Sequence, residues 1–122
     1  MAGRYTLLEQ EALNSFLPLC ESRGIGIITG GPYNSGILAT GAVPGAFYNY
    51  DIAPDIIIQK VATIEAICKD YNIPLQAAAL QFPLMHPTHV SVIPGGQTVE
   101  EMRNNYEAFQ LEIPSELWES LK

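Results

Sequence analysis

The stretch Ser91-Val92-Ile93-Pro94-Gly95-Gly96-Gln97-Thr98 decides the fold, because an apolar run ends there in two glycines and passes directly into a helix start. The pattern predicts a strand over 89–93 and a helix from Thr98 to about Gln110. Thr98 and Glu101 fit the reciprocal capping pattern, in which a hydroxyl and a carboxylate each satisfy an exposed backbone N–H. The free N–H groups and the positive end of the helix dipole attract anions. Because such turns also arise for steric reasons alone, the local pattern leaves both a phosphate site and a purely structural turn open.

A second stretch earlier in the chain has the same order. The apolar run 25–29 predicts a strand buried on both faces, and it opens into a glycine-rich loop that extends from Gly30 to Ala53. A loop of that length is too long to be a mere connector. In barrels of parallel strands the ligand site lies at the carboxyl ends of the strands, often with a phosphate held after the last two. The two glycine turns therefore reinforce each other.

The segments around these turns alternate between strand-like and helix-like patterns, which indicates an α/β fold with a parallel sheet and crossover helices. Residues 4–8 resemble the end of a further strand. Asn14 is the predicted cap of a helix that runs to about Arg23, and further helices are predicted over about 54–71, 74–84 and 114–121. Ile57, Val61, Ile64 and Cys68 form one apolar stripe. We expect a single partial domain over 1–122, because a complete (β/α)8 barrel needs about 250 residues. Unpaired parallel edges then predict association with an N-terminal portion or with a second copy.

Composition excludes several classes of function. The net charge is -7 with only six Lys and Arg residues, so the chain has no basic patch for nucleic acid or an anionic membrane. No apolar run is long enough for a membrane-spanning helix and no signal region is present, which favours a cytoplasmic location. Cys20 and Cys68 occupy apolar helix positions and are expected to be buried thiols without a metal. His86 and His89 lie at the amino-end side of the last strand, where a structural role is expected.

Taken together, the two glycine turns and their flanking motifs resemble the aldo/keto reductase superfamily and, within it, the aldose 1-dehydrogenase branch that includes L-fucose and D-threo-aldose dehydrogenases. The resemblance rests on motifs in the same order and spacing, namely Arg4-Tyr5-Thr6-Leu7-Leu8-Glu9, Pro32-Tyr33-Asn34-Ser35-Gly36-Ile37-Leu38, Ala79-Leu80-Gln81-Phe82-Pro83 and Val92-Ile93-Pro94-Gly95-Gly96. It implies the C-terminal part of a (β/α)8 barrel, from the end of strand six through strand eight. The family's Asp, Tyr, Lys and His tetrad lies on earlier strands, so no catalytic residue is expected here.

The resemblance further implies that the chain binds NAD or NADP. Its cofactor positions are Gly30, Gly31, Asn34, Ser35 and Leu38 for the nicotinamide and pyrophosphate, and Gly95, Gly96, Gln97, Thr98, Glu101, Asn104 and Asn105 for the adenosine end. Gln97 stands where many NADP-dependent members carry a basic residue for the 2′-phosphate, which favours NAD slightly. Phe47 and Tyr48 either form a wall for a sugar or small carbonyl substrate or only cover the barrel rim.

The expected function is therefore that of an NAD(P)-dependent oxidoreductase, an aldose 1-dehydrogenase, present here as a cofactor-binding portion that is inactive without the remaining barrel. The alternative is a non-catalytic nucleotide-binding or assembly module that uses the same glycine loops without hydride transfer.

Overall fold

The computed structural model describes residues 1–122. It contains six α-helices, two short 3-10 helices over 11–13 and 82–85, and four strands. The helices are α1 Phe16–Ser22, α2 Ile37–Thr40, α3 Asp55–Asp70, α4 Leu75–Gln81, α5 Val99–Gln110 and α6 Ser115–Ser120, and the strands are β1 Ile27–Gly30, β2 Phe47–Tyr48, β3 Asp51–Ile52 and β4 His89–Ile93.

The parallel pairing predicted for the two apolar strands is confirmed. β1 and β4 are hydrogen-bonded neighbours in parallel, with Ile27 opposite His89 and Gly30 opposite Ile93. α3 and α4 lie between them in the chain, which is the crossover that parallel strands require. The sheet contains only these two strands and is not closed into a barrel.

Two expectations about strands are wrong. Residues 4–8 form no strand; a turn closes there through paired backbone hydrogen bonds between Thr6 and Glu9 (2.8 and 3.2 Å). The pairing with β1 occurs earlier in the chain, at a bridge between Ala2 and Gly30. β1 is also not buried on both faces: Ile27 and Thr29 are buried, whereas the side chain of Ile28 is 51% exposed because nothing covers the second face.

The first helix begins one residue later than predicted, because its N-cap is Ser15 and not Asn14. Asn14 ends the preceding 3-10 turn, and α1 starts after Ser15. Its end agrees with the prediction: Gly24 has a positive φ of 65°, and the N–H groups of Gly24 and Ile25 donate to the carbonyls of Glu21 and Cys20. These two hydrogen bonds satisfy carbonyl groups that have no partner within the helix at its C-terminal end.

The main core forms around the alanine-rich helix α4. Ala77, Ala78 and Ala79 are fully buried, and their small side chains allow close packing against neighbouring helices. The predicted apolar stripe of α3 faces this core through Val61 and Cys68, with Ile57 and Ile64 partly buried against it. α6 covers one side of the core with Leu117.

A second, smaller cluster of buried residues forms around Tyr5. The rings of Tyr5 and His89 stack at 4.9 Å, and Leu17 and Cys20 of α1 are buried beside Tyr5. His86 packs edge-on against both rings. Both cysteines are free and buried, as expected. None of the chain's helices combines the length and apolar character needed to cross a membrane.

Candidate functional site

A polar cleft opens where β1 and β4 end. Because the two strands are parallel and adjacent, the loops that follow them emerge at the same edge of the sheet. The cleft has a volume of about 600 Å³ and is bounded by both loops, by α4 and by the start of α5. The residues that line it are Gly31, Pro32, Tyr33, Ser35, Gly36, Ala39, Thr40, Gln76, Gly95, Gly96, Gln97, Glu101, Asn104 and Asn105.

The loop after β1 turns sharply through three residues with positive φ, Asn34, Ser35 and Gly36. This unfavourable conformation is held by the buried side chain of Asn34. Its Oδ1 accepts a hydrogen bond from Thr6 Oγ1 (2.5 Å) and its Nδ2 donates to the carbonyl of Gly3 (3.4 Å). Ser35 Oγ accepts from the N–H of Tyr50 (2.9 Å), so this turn also anchors the β2–β3 hairpin.

The loop after β4 leads into a well-capped helix. Thr98 Oγ1 accepts from the N–H of Glu101 (3.1 Å), as predicted. The Glu101 carboxylate accepts from the N–H of Gln97 (2.6 Å) and not from that of Thr98, which is a departure from the expected reciprocal pattern. Backbone N–H groups around this turn make no hydrogen bond within the chain, namely those of Gly95, Gly96, Thr98, Val99 and Glu100. Such a set of free donors at a helix start suits an anion.

At two glycines of this edge, neither the backbone conformation nor the packing within the chain requires a residue without a side chain. Neither Gly30 nor Gly95 has a positive φ, and a side-chain carbon would meet nothing within 4 Å at Gly95 and only one backbone oxygen, at 3.9 Å, at Gly30. Gly31 has a positive φ, and a carbon on Gly96 would lie 2.5 Å from Met102 Sδ. The positive φ therefore accounts for Gly31, whereas at Gly96 only the flexible, half-exposed Met102 side chain would have to move. Neither reason applies to Gly30 and Gly95, where the missing side chain leaves room for a group from outside.

A hydrogen-bonded cluster links the two loops beneath the cleft. Tyr33 Oη donates to Asn105 Oδ1 (2.6 Å), and Gln76 Nε2 donates to both atoms. Asn105 Nδ2 donates to the carbonyl of Gly95 (2.9 Å). Burial raises the pKa of Tyr33, partly opposed by the hydrogen bond from Gln76, so the phenol stays protonated.

Sequence reasoning missed Tyr33 and Gln76. The pattern of glycines, caps and strand ends carries no signal for a contact between residues so far apart in the chain. The one sequence signal for this contact was the polar residue Gln76 in the otherwise apolar first turns of α4.

The structure brings eight of the sequence-predicted cofactor residues into the cleft lining: Gly31, Ser35, Gly95, Gly96, Gln97, Glu101, Asn104 and Asn105. The other four do not line it. Gly30 ends β1 immediately before the cleft, Asn34 holds the turn, Thr98 caps α5, and Leu38 is fully buried in the core. The side chain of Leu38 therefore makes no contact with the cleft.

The two predicted substrate residues lie on the β2–β3 hairpin and not in the cleft lining. The Phe47 side chain is 52% exposed, and the Tyr48 hydroxyl donates to the Glu9 carboxylate. That hydrogen bond, with burial and the negative charge of Glu9, raises the pKa of Tyr48.

The cleft carries one charged side chain, the carboxylate of Glu101, and no Lys or Arg. Attraction for an anion would therefore come from backbone N–H groups and the helix dipole alone, with Glu101 opposing any further negative charge nearby.

Comparison with known proteins places this geometry in a family. The sequence model of the protein family described as "Aldo/keto reductase family" matches residues 1–122. The chain is 40% identical over 122 residues to a pyridoxal 4-dehydrogenase of Microbacterium luteolum, covering 100% of the chain and 36% of that protein. It is 41% identical to a D-threo-aldose 1-dehydrogenase of a Pseudomonas species, covering 99% of the chain and 37% of that protein. The chain thus spans little more than a third of the length of these relatives.

Solved structures agree in fold. An aldo-keto reductase from Bacillus halodurans superposes with a TM-score of 0.73 in its apo form and 0.71 in its holo form, at 20% and 19% identity. The match covers 98% of this chain in both cases, and 41% and 40% of the respective Bacillus chains. The resemblance inferred from the glycine turns is therefore confirmed, and the chain belongs to the aldo/keto reductase family.

Proposed function

We propose that this chain forms the dinucleotide-binding edge of an NAD(P)-dependent aldose 1-dehydrogenase. The observation that carries the proposal is the cleft at the carboxyl ends of β1 and β4, where free N–H groups at the start of α5 adjoin Gly95, a glycine that neither packing nor φ requires. A phosphate could approach that backbone closely, because no side chain intervenes. When bound, the nicotinamide cofactor would supply the acceptor or donor of a hydride.

The cleft residues divide by what they can offer a dinucleotide. Gly31 and Ser35 border the side that follows β1, and the N–H groups of Gly95 and Gly96 suit the phosphates. Gln97 and Asn104 provide neutral polar side chains for a ribose or a base. Gly30, Asn34, Leu38 and Thr98 act through the backbone shape of the two loops.

NAD is the favoured cofactor because the cleft has no Lys or Arg side chain that would pair with a 2′-phosphate. Gln97 is neutral, and the Glu101 carboxylate already accepts the N–H of Gln97. A second anion there would meet like charge at short range.

Replacing Glu101 tests this cofactor preference. Glu101→Gln keeps an oxygen acceptor for Gln97 but removes the charge, so we expect the affinity for NADPH to rise about fivefold relative to NADH, equivalent to ~1 kcal/mol. Fluorescence titration of both cofactors at low salt measures the ratio. A ratio equal to that of the unsubstituted chain would show that Glu101 does not select the cofactor.

The substrate proposal rests on the two relatives that are about 40% identical, whose names specify dehydrogenation of an aldose at carbon 1 and of pyridoxal at position 4. The aldose at carbon 1 offers an aldehyde or its cyclic hemiacetal. We propose a substrate of this class, a sugar or small carbonyl compound. The hairpin with Phe47 and Tyr48 would border its site, since Ser35 anchors that hairpin at the cleft edge.

The family resemblance implies a tetrad on strands outside these 122 residues, and we propose that turnover requires those strands. Titration of the 122-residue chain with NADH, followed by cofactor fluorescence, is expected to saturate. Sugar oxidation is expected only after the N-terminal portion is added. No fluorescence change at millimolar NADH would overturn the proposal, whereas binding without activity in the completed protein would indicate a non-catalytic nucleotide-binding module.

A further inference from the structure

The side-chain amide of Asn105 has hydrogen-bond partners at both of its ends. Its Oδ1 accepts from Tyr33 Oη and Gln76 Nε2, and its Nδ2 donates to the carbonyl of Gly95. The side chain is nearly inaccessible, with Asn105 5% exposed and Tyr33 8% exposed. The side chain of Asn105 therefore links the phenol and amide beneath the cleft to the backbone of the Gly95 turn.

The four groups come from four separate segments. Tyr33 belongs to the loop after β1, Gln76 to α4, Asn105 to α5 and Gly95 to the loop after β4. The cluster is thus the hydrogen-bonded connection between the two loops that bound the cleft. A buried polar network with every member paired restricts its elements to one arrangement.

The Gly95 turn needs such a restraint. Glycine has the widest conformational freedom of any residue, and no neighbouring atom lies within 4 Å of the position that a side chain would occupy at Gly95. The bond from Asn105 is the only one that a side chain makes to the Gly95 peptide. Loss of this bond would let the peptide between Gly95 and Gly96 rotate and turn the Gly96 N–H away from the cleft.

We propose that Tyr33, Gln76 and Asn105 are positioning residues that fix the Gly95 turn, and that the cluster acts on a bound dinucleotide through that turn. The proposal rests on the proposed function, since it takes the N–H groups after β4 as the phosphate donors. Their arrangement before binding lowers the ordering cost that the ligand would otherwise meet.

Removal of one hydroxyl tests the proposal. Tyr33→Phe keeps the ring and deletes the donor to Asn105 Oδ1, so we expect NADH affinity to fall roughly fivefold, the effect of one net hydrogen bond. Gln76→Met deletes the second donor at similar volume, and the double variant should lose more than either single variant. The backbone amide resonances of Gly95 and Gly96 should shift in all three, before any NADH is added.

Tyr71→Phe is the matched control, because it also removes a hydroxyl hydrogen bond, to Ser120 Oγ, but outside the cleft. It should leave both NADH affinity and the Gly95 resonance unchanged, even if its melting temperature falls like that of Tyr33→Phe. Normal NADH affinity and an unshifted Gly95 amide in Tyr33→Phe and Gln76→Met would overturn the positioning role. If the unsubstituted chain binds no NADH, the proposed function fails, and the Gly95 amide shift alone still decides whether the cluster positions the turn.

Discussion

At the scale of single residues, Gly95 is a position where a substitution can change ligand binding without changing the stability of the fold. Its backbone conformation suits any residue, and a side chain there would meet no atom of the chain. A substitution there should consequently change binding and leave folding almost unaffected.

For Gly95→Ala we expect unfolding free energy to stay within about 1 kcal/mol of the original, since the conformation is compatible with alanine. Affinity for NADH should fall on the order of tenfold, because the added methyl group keeps a phosphate away from the N–H donors and weakens a charge-assisted bond of roughly 1.5 kcal/mol. Urea unfolding and fluorescence titration measure the two quantities. Gly24→Ala, at a position outside the cleft with a φ of 65°, is the control that should lower stability and leave NADH affinity unchanged. Equal NADH affinity in Gly95→Ala would contradict a phosphate at this turn.

The buried His89 predicts a dependence of stability on pH. Burial, with smaller contributions from the charges of His86 and the N-terminus, lowers the pKa of His89 to about 4 from 6.5, and its Nε2 has no hydrogen-bond partner. The folded state therefore favours the neutral ring. This contribution to stability is complete above pH 6.5 and is lost as the pH falls from there toward 4.

His89→Phe keeps a ring to stack on Tyr5 but cannot take up a proton. Thermal unfolding at pH 7 and pH 5 should show a smaller loss of melting temperature in this variant than in the unsubstituted chain. The carboxylates of the chain titrate in both proteins and cancel in the comparison. Identical losses would mean that protonation of His89 does not limit acid stability.

At the scale of elements, the long helices whose starts are marked by a proline or a capping residue were predictable from sequence. α3 and α5 agree with their predictions because Pro54 and Thr98 set their starts and each has an apolar or capped pattern over several turns. α2 and the β2–β3 hairpin, inside the predicted loop 30–53, were not foreseen. Contacts between residues far apart in the chain hold the hairpin, such as the hydrogen bond from the Tyr48 hydroxyl to Glu9, and no periodic pattern indicates them. The glycine turns of the cleft were predictable because a local pattern marks them. The Tyr33–Gln76–Asn105 cluster was not, because its members are far apart in the chain.

The cap of α5 gives a prediction at this scale. Thr98→Ala removes the acceptor for the N–H of Glu101 and should cost about 1 kcal/mol of unfolding free energy. Thr63→Ala in the middle of α3 is the control, because its hydroxyl bonds only to the preceding turn of its own helix and alanine has the higher helix propensity. A urea midpoint for Thr98→Ala equal to that of Thr63→Ala would show that the cap contributes nothing.

At the scale of the whole molecule, apolar strand residues remain exposed. Ile28, Val90 and Ile93 are all more than half exposed, and β4 pairs with β1 on one edge only. An unpaired apolar edge is a template for another strand. We therefore expect the chain to associate with an N-terminal portion of the barrel or, without it, with a second copy.

Val90→Lys should weaken this self-association, because a charge on an edge strand opposes pairing. Sedimentation velocity over a range of concentrations should show the unsubstituted chain becoming larger with concentration and the variant remaining smaller. Val43→Lys, which changes an exposed residue away from the sheet, is the control. If the unsubstituted chain stays monomeric at all concentrations, the exposed strand edge does not drive self-association.

The pairing of β1 with β4 also has a kinetic consequence. Residue 27 can meet residue 89 only after the intervening chain, including α3 and α4, has closed into a loop. Closing a loop of that size loses entropy before the strand contacts compensate for it, and chains with such distant contacts cross their folding barrier slowly. The helices should acquire hydrogen-exchange protection early in refolding, and the amides of the two strands should acquire it last.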